Sequence, residues 1–287
     1  MGKRRTRYIQ EEAMDINNKT FIDYYNRLME LALNVFRWEN LPPTIDPRFL
    51  ELTLYEKGYA VYFNDDEIGN LALTCTIGGD LNVYRIPIYR RAFATNGYQK
   101  NLTADDSVLI FNNYLHTPTV LTTTLYAKII YNITRAIDVN INAQKTPVTI
   151  LCDETQRLTM KNLYMKYDGN EPFIFGDKNL DLNGISVLNT QAPFVADKLN
   201  SLKHQILNEY LTFCGIENSN TDKKERLVAN EVSSNYGEVE AERNIMLNSR
   251  QEAADQINRM FGTNIKVSFR SDLPTLVNGI TSIKEEE

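Results

Sequence analysis

Two groups of charged residues could do chemistry with a polyanion. Lys3, Arg4, Arg5 and Arg7 crowd the start of the chain with few apolar neighbours. Lys223, Lys224 and Arg226 lie among Glu225, Glu231, Ser233, Ser234 and Asn235. Lysine and arginine hold phosphates by displacing counterions, so any such contact weakens with salt. The first group reads equally as a phosphate contact or as a solubilising terminus. The second reads as a loop making weak, non-specific backbone contacts, its acidic members keeping the hold loose. Its structural alternative is a short helix capped by Asp222 and Glu225 and running through Val232.

Catalytic chemistry is missing by comparison. The chain has no GxxxxGKS/T loop, no GxGxxG turn and no GxSxG elbow. Its two histidines, His116 and His204, stand apart and lack HExxH spacing. Asp65-Asp66 and Asp105-Asp106 could hold a hard cation, but solvated turn residues are the simpler reading. No catalytic residue, metal site or cofactor is expected, and an energy-driven process would need another subunit to hydrolyse nucleotide. The net charge of -6 excludes a generally basic nucleic-acid coat. Cys75, Cys152 and Cys214 are scattered without a CxxC pair, which points to reduced thiols. No apolar run approaches the ~20 residues of a membrane span. The basic start leads into Ile9-Gln10-Glu11-Glu12 rather than an apolar core, so no secretory signal is expected.

The elements that must position these groups are mixed, α+β and mainly helical. Residues 1–15 read as a basic arm. Phe21, Tyr25, Leu28, Ala32 and Val35 mark a helix over 16–38, ending before Pro42-Pro43, with Trp38 packed at its end and a linker to 57. A strand-rich region spans 58–118. Its strands are Gly58–Phe63, Leu71–Ile77 and Val83–Tyr89, turning at Asn64–Asp66 and Gly78–Asp80, with a short strand at 107–111. Leu121, Leu125, Ile129, Ile133 and Ile137 repeat every four residues and predict a helix over 119–142, against the β-leaning Thr122-Thr123-Thr124. A small α/β segment follows to 192: strands at 147–152, 173–175 and 185–188, and a helix at 157–167.

Val195, Leu199, Leu202, Ile206, Tyr210 and Phe213 then form one helical stripe within 193–216, with Pro193 in the first turn and Gly215 as terminator. Residues 217–236 are polar and charge-dense, longer than the ~12–15 residues of an ordinary connection. Such a loop should touch something beyond its own core. A helix at 238–261 and a strand at Ile265–Phe269 lie within 237–270, and 271–287 is a polar tail.

Several stretches resemble phi-29-like phage portal proteins, also called upper collar or head–tail connector proteins. They are Trp38-Glu39-Asn40-Leu41-Pro42-Pro43-Thr44-Ile45, Asn142-Ala143-Gln144-Lys145-Thr146-Pro147-Val148, and Ala192-Pro193 with Val195 and Asp197-Lys198-Leu199-Asn200. Lys223-Lys224-Glu225-Arg226-Leu227-Val228 and Glu231-Val232-Ser233-Ser234-Asn235 continue the match in the same order. The resemblance implies a portal-type fold with long channel helices and a strand-containing wing. It implies a dodecameric ring at a capsid vertex that passes double-stranded DNA during packaging, retention and ejection. Implied partners are capsid and scaffold proteins, a lower collar or tail protein, a packaging ATPase and, in some members, a packaging RNA. The implied place is the virion, with synthesis in the host cytoplasm and no membrane. Residues 217–236 match the loop that hangs into the channel, Lys198 matches one channel lysine ring, and the second ring position is Asn189. Lys3, Arg4, Arg5 and Arg7 occupy the place that meets the packaging machinery by residue type alone. The region from Tyr98 to Thr117 and the tail are shorter than in the best-known member.

Two rival readings use the same residues. One is an oligomeric virion or scaffold protein without a DNA channel. The other is a metal-dependent nucleic-acid enzyme built on the aspartate pairs.

Overall fold

The computed structural model describes residues 2–144, 148–150, 185–187, 193–218 and 229–270, of which 2–17, 143, 148–150, 185–187 and 229–236 by backbone. The chain divides into two units, Met1–Asn132 with Lys203–Glu287, and Ile133–Leu202.

The first helix, α1, runs Gly2–Leu33. It corrects the expectation at both ends. Residues 1–15 were expected as an arm, yet no proline or glycine interrupts Lys3–Leu33 and the helix extends back to Gly2. At the other end the expected helix to 38 stops short. The Asn34 side chain donates to the Glu30 carbonyl (2.8 Å), and Phe36–Glu39 becomes strand β1. β1 pairs antiparallel with the last strand, which holds Phe269 opposite Phe36 and Val267 opposite Trp38. Val35 and Leu28 are buried, with Phe21, Tyr25 and Ala32 packed around them.

A second helix, α2 (Pro47–Lys57), fills what was expected as linker. Asp46 caps it by accepting from the Arg48 amide (2.9 Å), and Pro47 opens the first turn. Gly58 closes it at φ +84°, where a Cβ would meet the His116 carbonyl oxygen at 2.6 Å.

The strands form one five-stranded antiparallel sheet, ordered β5-β4-β3-β2-β6. They are β2 (Tyr59–Asp65), β3 (Gly69–Leu81), β4 (Pro87–Phe93), β5 (Gln99–Leu102) and β6 (Ser107–Phe111). β2 is buried on both faces. Ala60 and Tyr62 join the helical core, while Val61 and Phe63 join a second core with Leu71, Cys75 and Ala92. The turn expected at Gly78–Asp80 lies later, at Asn82–Ile86, so the third strand begins at Pro87 and not Val83. Asn82 decides this, because its side-chain oxygen accepts the amides of Tyr84 and Ile86 (both 2.9 Å). Gly79, at φ +77° under the Tyr89 ring, allows the strand to bulge instead of turning.

α3 (Val120–Gln144) is helical as its period requires. The buried side of its first half differs from the expected stripe. Thr123, Ala127 and Ile130 face the core, while Leu121 and Leu125 are 70% and 59% exposed. Small side chains let the helix approach closely, and Thr123 shares a hydrogen bond with the Tyr210 hydroxyl (2.9 Å). α4 (Ala196–Phe213) supplies Tyr210, which also donates to the Leu28 carbonyl (2.9 Å).

α5 (Ala229–Phe261) is followed by β9 (Lys266–Phe269). Asn258 links them, accepting the Ile265 amide (2.7 Å) and donating to its carbonyl (2.8 Å).

In the second unit, β7 (Val148–Ile150) pairs antiparallel with β8 (Ile185–Val187). The expected helix at 157–167 and strand at 173–175 lie outside the described residues.

Candidate nucleic-acid interface

Lys198 occupies the first turn of α4 and is exposed. That turn is pinned by Asn140 of α3, whose amide donates to the Pro193 carbonyl (2.9 Å) and accepts the Val195 amide (3.0 Å). The lysine therefore projects from a fixed point. Asn189 lies outside the described residues.

Lys3, Arg4, Arg5 and Arg7 fall in the first two turns of α1. Arg4 and Arg7, three residues apart, share a face of that helix, as do Lys3 and Arg7. Cations at the amino end oppose the helix dipole, so a phosphate beside them would gain from both the charges and the dipole.

The loop candidates divide. Lys223, Lys224, Glu225 and Arg226 lie outside the described residues. Glu231, Ser233, Ser234 and Asn235 were expected in the loop but belong to the first two turns of α5. No proline interrupts 229–261, and Glu231 in the first turn complements the dipole. At ~100° per residue, Glu231, Ser234 and Asn235 share a face and Ser233 does not.

The start of the connection is held by residues that sequence reasoning passed over. α4 ends at Gly215, φ +70°, where a Cβ would sit 2.7 Å from the backbone of Arg243. Arg243 donates from Nε to the Gly215 carbonyl (3.1 Å) and pairs with Glu217 (3.4 Å). Its guanidinium lies over the Phe269 ring, 3.8 Å from the centroid. Asn218 turns back to cap α4, donating to the Asn208 carbonyl (3.0 Å) and the Thr212 hydroxyl (2.9 Å). Gly215 was legible as a terminator. Arg243 sits 28 residues on and carries no local signal.

The aspartate pairs are turn residues. Asp65 accepts the Glu67 and Ile68 amides (3.1 and 3.2 Å), the Tyr98 hydroxyl (2.5 Å) and Lys100 (3.2 Å). The Tyr98 hydrogen bond, helped by the Glu67 amide, holds its carboxyl well below the usual carboxylate range. Lys100 also reaches Asp66 (3.8 Å), placing an ammonium where a cation would otherwise sit. Asp106 accepts the Thr103 amide (2.6 Å). No group of three metal-ligating side chains occurs among the described residues. No helix among them is long and apolar enough to cross a membrane.

The Phage Connector (GP10) family model matches residues 4–274, nearly the entire chain. The chain belongs to the phage connector family. It is a portal protein forming a head–tail connector, of a structural and not an enzymatic family. The fold agrees with that of a chain from the portal and tail of native bacteriophage P68, which superposes with a TM-score of 0.53 at 15% identity, over 98% of this chain and 95% of that one. An HK97 family phage portal protein from Corynebacterium diphtheriae gives 0.45 at 12% identity, over 92% and 94%. A chain from the virion of a native gene transfer agent particle gives 0.44 at 10%, over 93% and 86%.

Proposed function

We propose that this connector is a passive, dodecameric ring at one capsid vertex, passing double-stranded DNA through its lumen while a separate ATPase drives packaging. The family match over residues 4–274 carries this reading. In it, Lys198 is a weak hold for phosphate in the channel, and residues 217–236 restrain DNA from sliding out of a filled head. Lys223, Lys224, Glu225 and Arg226 serve that restraint, with Glu231, Ser233, Ser234 and Asn235 at its helical base. A chain of net charge -6 repels the duplex elsewhere and keeps it mobile. Lys3, Arg4, Arg5 and Arg7 meet the packaging machinery, its ATPase or a packaging RNA. Capsid, scaffold and lower collar or tail proteins complete the vertex.

End-on electron-microscopy averages of the purified protein test the ring, which should close with a lumen wide enough for a duplex. Monomers, or rings without such a hole, would end this reading. Deletion of 223–234 tests the restraint. Rings and initial packaging should survive while heads lose DNA, and full DNA retention would sink the role of the loop.

A further inference from the structure

Most strands of the sheet have neighbours on both sides, but the β3–β4 ribbon outgrows them. β3 pairs with β2 only over Gly69–Leu73, and its remainder pairs with β4. β5 covers β4 only at Arg90–Phe93. Residues 78–89 are therefore a two-stranded arm, whose Ile86 packs against the second core while its tip, Leu81–Tyr84, stands clear of it. Its tip is nonetheless well determined. Besides accepting two turn amides, Asn82 donates its own amide to the Ile86 carbonyl (2.9 Å), and Arg85 takes φ +60°. The rigid turn presents Val83 and Tyr84, 90% and 80% exposed, beside the exposed Leu81.

A second tip has the same construction. Between β6 and α3, Asn113 accepts the amides of Leu115 (3.1 Å) and Thr117 (3.0 Å), and His116 takes φ +58°. Tyr114 and Leu115 stand 82% and 79% exposed, and Leu121 follows within two turns of chain. Phe111 pairs with Tyr59, so this corner leaves the sheet at the end towards which β3 runs past β2. Arm and corner thus flank β2, one on the β4 side and one at the β6 margin.

We infer that the β3–β4 arm of one copy docks on the β6–α3 corner of the next copy, through Val83 and Tyr84 against Tyr114, Leu115 and Leu121. This rests on the ring reading above and names the surface that closes it. A ring needs a heterologous contact, a patch and a different counter-patch on the same chain. The arm and the corner are different patches of one chain, on either side of β2, and meet that need. Charge selects the same pair. Copies of net charge -6 repel one another, yet the arm is neutral, with only Asp80 and Arg85, and Asn113–Leu125 holds no Asp, Glu, Lys or Arg. Preorganised tyrosines suit the centre of an interface because little side-chain freedom is lost on docking. Each tyrosine can bury ~150–250 Å², against ~800 Å² per partner in a standard interface. The tips are thus an anchor and not the whole contact.

The test uses the full chain. Tyr84→Asp and Leu115→Asp change exposed side chains and should keep the wild-type circular dichroism. Each should sediment near the 33.0 kDa monomer where wild type sediments as rings. A Val83→Cys, Leu121→Cys chain in a Cys152→Ser background should give a ladder of cross-linked multiples on oxidation, with each single cysteine stopping at dimers. Cys75 and Cys214 are buried and stay out of the reaction. Rings of Tyr84→Asp as abundant as wild type, with no ladder, would overturn the inference, leave the ring standing and turn the arm over to a capsid protein. Wild type that never forms rings would remove the ring reading and the inference with it.

Discussion

Arg250 Nη2 lies 2.8 Å from Glu51 Oε2, a buried ion pair between residues 199 positions apart. Every donor of the guanidinium is used. Nε reaches Glu51 Oε1 (3.0 Å), Nη1 the carbonyls of Asn112 (2.7 Å) and Met246 (3.1 Å), and Nη2 also the Asn112 side chain (3.0 Å). Glu51 accepts in addition from the Trp38 indole (2.7 Å), and Phe36 lies under the guanidinium, 4.2 Å from its ring centroid. One residue thus ties α5 to α2, to β1 and to the base of the β6–α3 corner.

Removing one partner strands the other charge. Arg250→Met should destabilise by ~3–5 kcal/mol, lowering the melting temperature by on the order of 10 °C at fixed protein concentration. Adding Glu51→Gln should recover part of that loss, because no unpaired charge remains. Equal melting of the single and double variants would show that the charge of Glu51 is not what the pair neutralises.

Gly215 and Arg243 approach too closely for any side chain at 215. Gly215→Ala should cost at least ~1–2 kcal/mol from the left-handed backbone alone, and more from the Cβ contact with Arg243. Limited proteolysis between Ile216 and Ala229 should quicken in parallel. A variant that melts and digests like wild type would mean the α4 terminus can shift freely off α5.

The Tyr210 hydroxyl joins α4 to α1 and α3. Tyr210→Phe keeps the ring packing and removes the bonds to Leu28 and Thr123, so thermal denaturation should report a loss of ~1–2 kcal/mol. No change would assign the tyrosine to packing alone.

Asp65 links the β2–β3 turn to β5. Its carboxyl is held below the ordinary range, so its contribution is complete above the unfolded value of ~3.9 and is lost as pH falls towards the folded value. Asp65→Asn should melt below wild type at pH 7, and the gap should close as pH drops below about 4. A gap constant down to pH 2 would show that ionisation is not the source.

Local pattern and tertiary choice separate cleanly here. The helical period of 193–216, the strands at Tyr59–Asp65 and Ser107–Phe111, and the matched segments of the connector family were all legible, because each is written within a few neighbouring residues. Asp46-Pro47 is a helix start written in the sequence, where the expectation is a linker. Some features had no local signature. Asn34 ends the helix locally, but Phe36–Glu39 becomes a strand because β9, far along the chain, offers an edge to pair with. Periodicity marked α3 as a helix, but which side lies inward depends on what packs against it. Tyr210 and the helical core took Thr123 and Ala127, leaving Leu121 and Leu125 to water. The Arg250–Glu51 pair and the Arg243–Gly215 contact are likewise set by long-range packing, which brings distant charges and carbonyls to bonding distance. Local pattern along the chain determined many of the elements, and the matched segments determined the family. Tertiary structure alone decided their facing sides, because burial is a property of neighbours in space and not in sequence.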